Sequence, residues 1–191
     1  MSETSGDFDP LVLRAMARWP DVPAVYGWLR LDRRGHWLLV DRGQAGFDEA
    51  RHGAGSPITS PPILEFIGRN YACDARGCWF WQNGPQRVFV TLESAPWVLR
   101  VLGSGEQARL ITHTGILFGD LLGAAQGPEG EILLQSALGC GLVHDLDASA
   151  LALDDTADDQ PPTLLIDGRR WVLAACTDPA GRFGFVRTPS A

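Results

Sequence analysis

The sequence predicts an α+β fold: mostly antiparallel sheet with short helices, built from two structurally related units in tandem. Three observations carry that prediction. The first is a dense aromatic and β-branched stretch from Arg76 to Val101, RGCWFWQNGPQRVFVTLESAPWVLRV. The second is a pair of short helical patterns opened by Asp9-Pro10 and Ser60-Pro61-Pro62. The third is a pattern that returns after 53 residues.

In the aromatic stretch, the apolar runs Cys78–Trp81 and Val88–Leu92 flank Gln82-Asn83-Gly84-Pro85, and Trp97–Val101 follows Pro96. Such residues fit a pleated, largely buried surface, and Asn-Gly supplies the positive φ of a tight hairpin. The stretch therefore reads as the middle of an antiparallel sheet. Ahead of it, Asp9 reads as a helix N-cap with proline at the next position, opening a helix through Arg18. Leu11, Ala15, Met16 and Trp19 share one face of it, which predicts a lid on the sheet. Val25–Leu31, a turn at Asp32–Gly35 and His36–Val40 read as a hairpin. Residues 41–57 read as a loop with one helical turn near Phe47–Arg51. Ser60 caps the next helix, which carries Ile63, Phe66 and Ile67 at helical spacing and ends near Ala72.

Beyond the aromatic stretch, Ala108–His113 is a further strand. An ungapped shift of 53 residues lays Ile58–Val101 on Ile111–Asp154 with nine identities in 44 positions, among them Ile63/Ile116, Gly77/Gly130 and Gln82/Gln135. Repetition at such a period points to a duplicated unit. By that alignment the second copy has a helix over Ile116–Ala125 and strands at Glu131–Gln135 and Gly141–Asp145. Gly77 and Gly130 are then expected in equivalent turns, and Ile63 and Ile116 buried at the same place on their helices. Thr163–Ile166 and Arg170–Cys176 form a last hairpin. The units so defined are 1–57, 58–106 and 107–191, either separate or parts of one compact domain.

Composition narrows the function classes. The 191 residues are 45% apolar and 20% charged, the range of a globular chain, and no apolar run approaches a membrane span. The start, MSETSGDFDP, has neither the basic nor the apolar segment of a secretory leader, so a cytoplasmic location is expected. All sixteen basic residues are arginine. The net charge of −7 comes from the second half: eleven arginines balance eleven acids up to residue 100, whereas five face twelve afterwards. That half repels phosphate backbones, so no nucleic-acid partner is expected.

The run from Pro57 to Val101, PITSPPILEFIGRNYACDARGCWFWQNGPQRVFVTLESAPWVLRV, resembles a proteobacterial domain-of-unknown-function family. The shared features are a Pro-Ile entry, a Pro-x-Leu-x-Phe helix, an Asp-x-x-Gly turn and paired strands ending at Ala-Pro-Trp. The resemblance implies a tandem helix-plus-sheet repeat with a suggested part in signalling, and it carries over no catalytic residue.

Candidate chemistry is sparse. Cys73-x4-Cys78 lacks zinc-knuckle spacing, and no His-x3-His helical pair occurs among His36, His52, His113 and His144. No phosphate-cradling glycine motif stands between a strand and a helix, so neither metal nor cofactor is expected. Asp154, Asp155, Asp158 and Asp159 match a calcium loop only in composition. Cys140 with His144, or His113, is the best case for an enzyme, although nearness in sequence does not make a nucleophile and base. One cluster has more content: Arg69, Asn70, Tyr71, Trp79, Trp81 and Arg87, with Arg76, Gln82, Asn83 and Gln86 nearby. An aromatic floor edged by arginines and amides suits a peptide or a small anionic ligand. The reading is therefore a non-catalytic binding or interaction module, with an unrecognised small enzyme or a structural homo-oligomer as the alternatives.

Overall fold

In the computed structural model, residues 8–154 and 160–191 are described. Asp155, Asp158 and Asp159, three of the four acids compared with a calcium loop, lie outside them. The chain divides into two compact units, one of residues 1–32, 36–94 and 185–191 and the other of 33–35 and 95–184.

The first unit opens with α1 (Pro10–Arg18). The Asp9 carboxylate accepts from the Leu11 amide at 3.0 Å, and Pro10 occupies the first turn. The helix does lie on the sheet, but through Phe8, Val12 and Met16. Leu11 points outward at 66% exposure. Beneath it runs a six-stranded sheet, β1 (Val25–Leu31), β2 (Trp37–Leu39), β3 (Ser56–Pro57), β4 (Tyr71–Cys73), β5 (Trp79–Asn83) and β6 (Gln86–Leu92), in the order β3-β2-β1-β6-β5-β4. Between β2 and β4 the chain makes α2 (Glu49–His52) and α3 (Pro61–Arg69). Proline starts α3, but Ser60 makes no side-chain capping bond. Tyr71 is already strand, so the helix stops three residues short of Ala72.

The second unit repeats this arrangement with strands six places later: β7 (Trp97–Leu102), β8 (Arg109–Thr112), β9 (Leu117–Phe118), β10 (Gly123–Gln126), β11 (Ile132–Ser136) and β12 (Gly139–Val143), ordered β10-β11-β12-β7-β8-β9. In each sheet the first strand lies parallel to the last, β1 on β6 and β7 on β12, and every other pairing is antiparallel. The aromatic stretch is thus not one sheet: β5 and β6 belong to the first and β7 opens the second. The boundary drawn at 106/107 falls between β7 and β8. A three-stranded sheet follows, of β13 (Ala152–Asp154), β14 (Thr163–Ile166) and β15 (Arg169–Val172), then α4 (Pro179–Phe183).

The 53-residue offset is real over half of the repeat. It carries β5 onto β11 and β6 onto β12. Gly77 and Gly130 hold the same turn, at φ 82° and 85°, each amide donating at 3.0 Å to the carbonyl three residues back. Over β1 and β7 the offset is larger. Leu29 sits opposite Val90 and Leu99 opposite Val143, which makes it 99 − 29 = 70. Across β2 and β8, Leu39 and Thr112 face Leu29 and Leu99, which makes it 112 − 39 = 73. The difference of 73 − 53 = 20 residues is the segment around α2 and α3, for which the second unit has only a short connection.

That explains the missing helix over 116–125. Gly115, Gly119 and Gly123 interrupt the segment, and Asp120 takes φ 50°, outside the helical region. Ile63 and Ile116 are both exposed, at 44% and 42%, so neither is the core position expected.

Candidate functional site

The pleat decides which of the expected site residues can meet. In β5 and β6, Phe80 pairs with Phe89 and Gln82 with Arg87, while Trp81 pairs with Val88. Paired residues point to one face and neighbours alternate. Phe80, Gln82, Arg87 and Phe89 therefore share one face, and Trp79 and Trp81 the other.

On the tryptophan face, Trp79 is buried against Tyr71, ring centroids 4.9 Å apart, and Tyr71 meets Trp37 edge-on at 5.0 Å. Burial, with Cys73 nearby, pushes the Tyr71 phenol well above its ordinary value. Trp81 is half-buried edge-on against Phe66. Asn70 is fully buried: its Oδ1 accepts from the Asp9 amide at 3.0 Å and its Nδ2 donates to the Phe66 carbonyl at 2.9 Å. Arg69 is exposed on the last turn of α3, 3.8 Å from Asp9 and 3.7 Å from Glu65. Trp81 and Asn70 join the sheet to its helices, Tyr71 and Trp79 pack among the strands, and Arg69 stays at the surface. Arg87, on the opposite face, lines a cavity.

That cavity, of about 500 Å³, opens on the sheet face beyond the C-terminal end of α1. Tyr26 from β1 stacks on Phe89 from β6 with centroids 4.6 Å apart and planes within 5°. Arg87 lies over the Phe80 ring at 4.0 Å and Arg76 over Phe89 at 5.7 Å. Asp74 organises the turn that presents Arg76. It is buried, and its carboxylate accepts from the Arg76 amide at 2.9 Å, the Cys78 amide at 2.9 Å and the Arg76 Nε at 3.2 Å. A further bond with the Tyr26 hydroxyl and the Asp74 charge raise the Arg76 pKa, so it stays cationic. Met16, Trp19 and Pro85 supply apolar wall, and Gln82 lies at the base with its Nε2 donating to the Gly84 carbonyl at 2.9 Å. Sequence reasoning missed Tyr26 and Asp74. Tyr26 arrives through a parallel pairing some sixty residues distant, for which no local pattern exists, whereas the Asp-x-x-Gly turn did mark Asp74.

The second unit has a cavity of about 330 Å³ beside the equivalent turn. Glu129 stands there at the place of Arg76 and Leu142 at that of Phe89, so neither the cation nor the aromatic floor is repeated.

The residues considered for catalysis do not converge. Cys140 and His144 lie four residues apart along extended chain, roughly 13 Å, well beyond hydrogen-bond reach. Cys140 is buried, and burial with Cys176 nearby drives its thiol far up. His144 caps the following 3-10 helix, its Nδ1 accepting from the Leu146 amide at 3.2 Å. His113 Nδ1 accepts from the Val98 amide at 3.2 Å. Among the described residues no three His, Cys, Asp or Glu side chains gather as a metal site. Among the described residues no helix is long and apolar enough to cross a membrane.

Comparison with known proteins fits this architecture. The family DUF2944, described as "Protein of unknown function (DUF2946)", matches residues 8–190. The chain belongs to that family. Its fold is similar to that of a DUF1285 family protein from Silicibacter pomeroyi DSS-3, with a TM-score of 0.52 and 18% identity over 88% of each chain. A second DUF1285 family protein, from Shewanella baltica OS155, matches with a TM-score of 0.42 and 13% identity, over 62% of this chain and 85% of that one. No curated protein matches the chain.

Proposed function

We propose that this chain is a non-catalytic binding module and that the cleft over the Tyr26–Phe89 stack takes a small anionic molecule. One observation carries the reading: two arginines, Arg76 and Arg87, flank an aromatic floor within a cavity large enough for a metabolite-sized ligand. Guanidinium groups present planar donor forks that match anionic oxygens. The proposal includes a cytoplasmic setting and a part in signalling; four free thiols are consistent with a reducing compartment.

Ligand-dependent thermal stabilisation tests it, because anything that binds only the folded state raises the melting temperature. Small carboxylates and phosphates should raise the melting temperature of the wild-type chain and leave that of Arg87→Gln unchanged. Equal stabilisation of both proteins by the same compounds would remove the cleft from consideration.

A further inference from the structure

The turn before β5 recurs before β11, and a carboxylate fixes each copy. In the first unit Asp74 accepts from the Arg76 amide at 2.9 Å, and the Arg76 Nε answers the same carboxylate at 3.2 Å. In the second, the 53-residue offset puts Gly127 in the place of Asp74, Glu129 in that of Arg76 and Glu131 in that of Cys78. The carboxylate has crossed the turn: Glu131 Oε2 accepts from the Glu129 amide at 2.8 Å. Gly127 leaves the space for it, since a Cβ there would lie 2.5 Å from Glu131 Cδ. The cation has not crossed with it. Glu129 turns to Arg33 at 2.8 Å, and Asp145 to Arg34 at 2.7 Å. Among the described residues no cationic group lies within ion-pair reach of Glu131.

Glu131 lines the second unit's cavity of about 330 Å³, a volume within the small-ligand range of roughly 300–1,000 Å³. Ile132, Leu142, Val143 and Leu173 give that cavity apolar walls. Arg33, already engaged with Glu129, is the only basic side chain among the described residues that lines it. A half-buried carboxylate beside apolar wall attracts a cation more strongly than one in open water, because the local dielectric is lower. The first unit displays the partner that such a turn carboxylate takes, a guanidinium. An aliphatic body behind that head would cover the walls. We propose that the second unit's cavity binds a small aliphatic guanidinium whose head pairs with Glu131. The cleft over the Tyr26–Phe89 stack takes no part in this.

Isothermal titration of the full chain with four probes, hexylguanidinium, hexylurea, hexanoate and methylguanidinium, tests this at about pH 7.5, where the guanidinium is fully protonated. Hexylguanidinium should bind at least about tenfold more tightly than each of the others, the factor that a charge-assisted hydrogen bond or a few buried methylenes confers. Glu131→Gln keeps an oxygen for the Glu129 amide, and it should bring hexylguanidinium down to the level of hexylurea. Should that variant fail to fold, the order of the four probes on the wild-type chain decides by itself. Hexylurea or hexanoate matching hexylguanidinium would remove the charge selection, and methylguanidinium matching it would remove the apolar contact. Undiminished binding to Glu131→Gln would remove the assigned carboxylate. Any of these results, or no binding of hexylguanidinium at all, overturns the proposal.

Discussion

The Asn70 carboxamide ties the start of the first helix to the end of the third: it accepts from the Asp9 amide at 3.0 Å while donating to the Phe66 carbonyl at 2.9 Å. Asn70 is 0% exposed, so neither bond can be replaced by solvent. Asn70→Leu strands a part-buried donor and a part-buried acceptor, each at the lower end of the cost of about 1–3 kcal/mol for a buried group. Urea unfolding should show a loss of about 2–4 kcal/mol with an unchanged m-value. A loss under about 1 kcal/mol would mean the bonds are not needed.

The two tryptophans of β5 should behave differently. Trp79 is buried between aromatic neighbours, and Trp79→Ala should cost about 3–5 kcal/mol through the void it leaves. Trp81 is half-buried, and its indole N–H has no hydrogen-bond partner among the described residues. Trp81→Phe removes that donor and keeps the ring on Phe66, so its cost should stay within about 1 kcal/mol. Denaturation midpoints of the two variants decide between these outcomes.

At Gly141 the second sheet leaves no room for a side chain. A Cβ there would lie 2.7 Å from Leu99 Cγ and Cδ1 on the adjoining parallel strand. Gly141→Ala should destabilise by about 1–3 kcal/mol through overpacking. The double variant with Leu99→Ala should recover part of the loss, and strict additivity would show that the clash is absent.

The thiols set the alkaline limit. Burial, Asp74 and Cys78 push Cys73 up to about 12, and burial raises Cys78 and Cys140 as well. A folded pKa above the unfolded one means the native state keeps protons that the unfolded chain releases. Stability from this source is complete below the unfolded thiol value, near 9, and is lost as pH rises towards 12. Melting temperature should fall across that window, and at pH 7.5 iodoacetamide should label the native cysteines slowly. Rapid stoichiometric labelling of Cys140 would restore a catalytic reading.

What the sequence revealed follows the range of the forces involved. Helix α1 was legible because Asp9 and Pro10 act within one turn, and the β5–β6 hairpin because Gly84 supplies φ 58° at its two-residue connection. The candidate site was only half legible. Arg87 and Arg76 sit near the aromatic strands in sequence, but Trp79 and Trp81 alternate onto the opposite face, and only the β1–β6 pairing brings Tyr26 to Phe89. The helix expected at Ile116–Ala125 failed because an ungapped repeat assigned it a counterpart of α3. The structure instead places the second copy's shortening there.

The return of residues 185–191 to the first unit has a bearing on synthesis. The Val186 amide donates to the Gly77 carbonyl and the Leu92 amide to the Arg187 carbonyl, while Phe185 is buried. Ninety-two residues, 93 to 184, separate β6 from this segment. A nascent chain can pair all six strands of its first sheet and still lack these closing contacts until the whole second sheet has left the ribosome. The unit made first is the one finished last, and a shortening at the far end would be felt nearest the start.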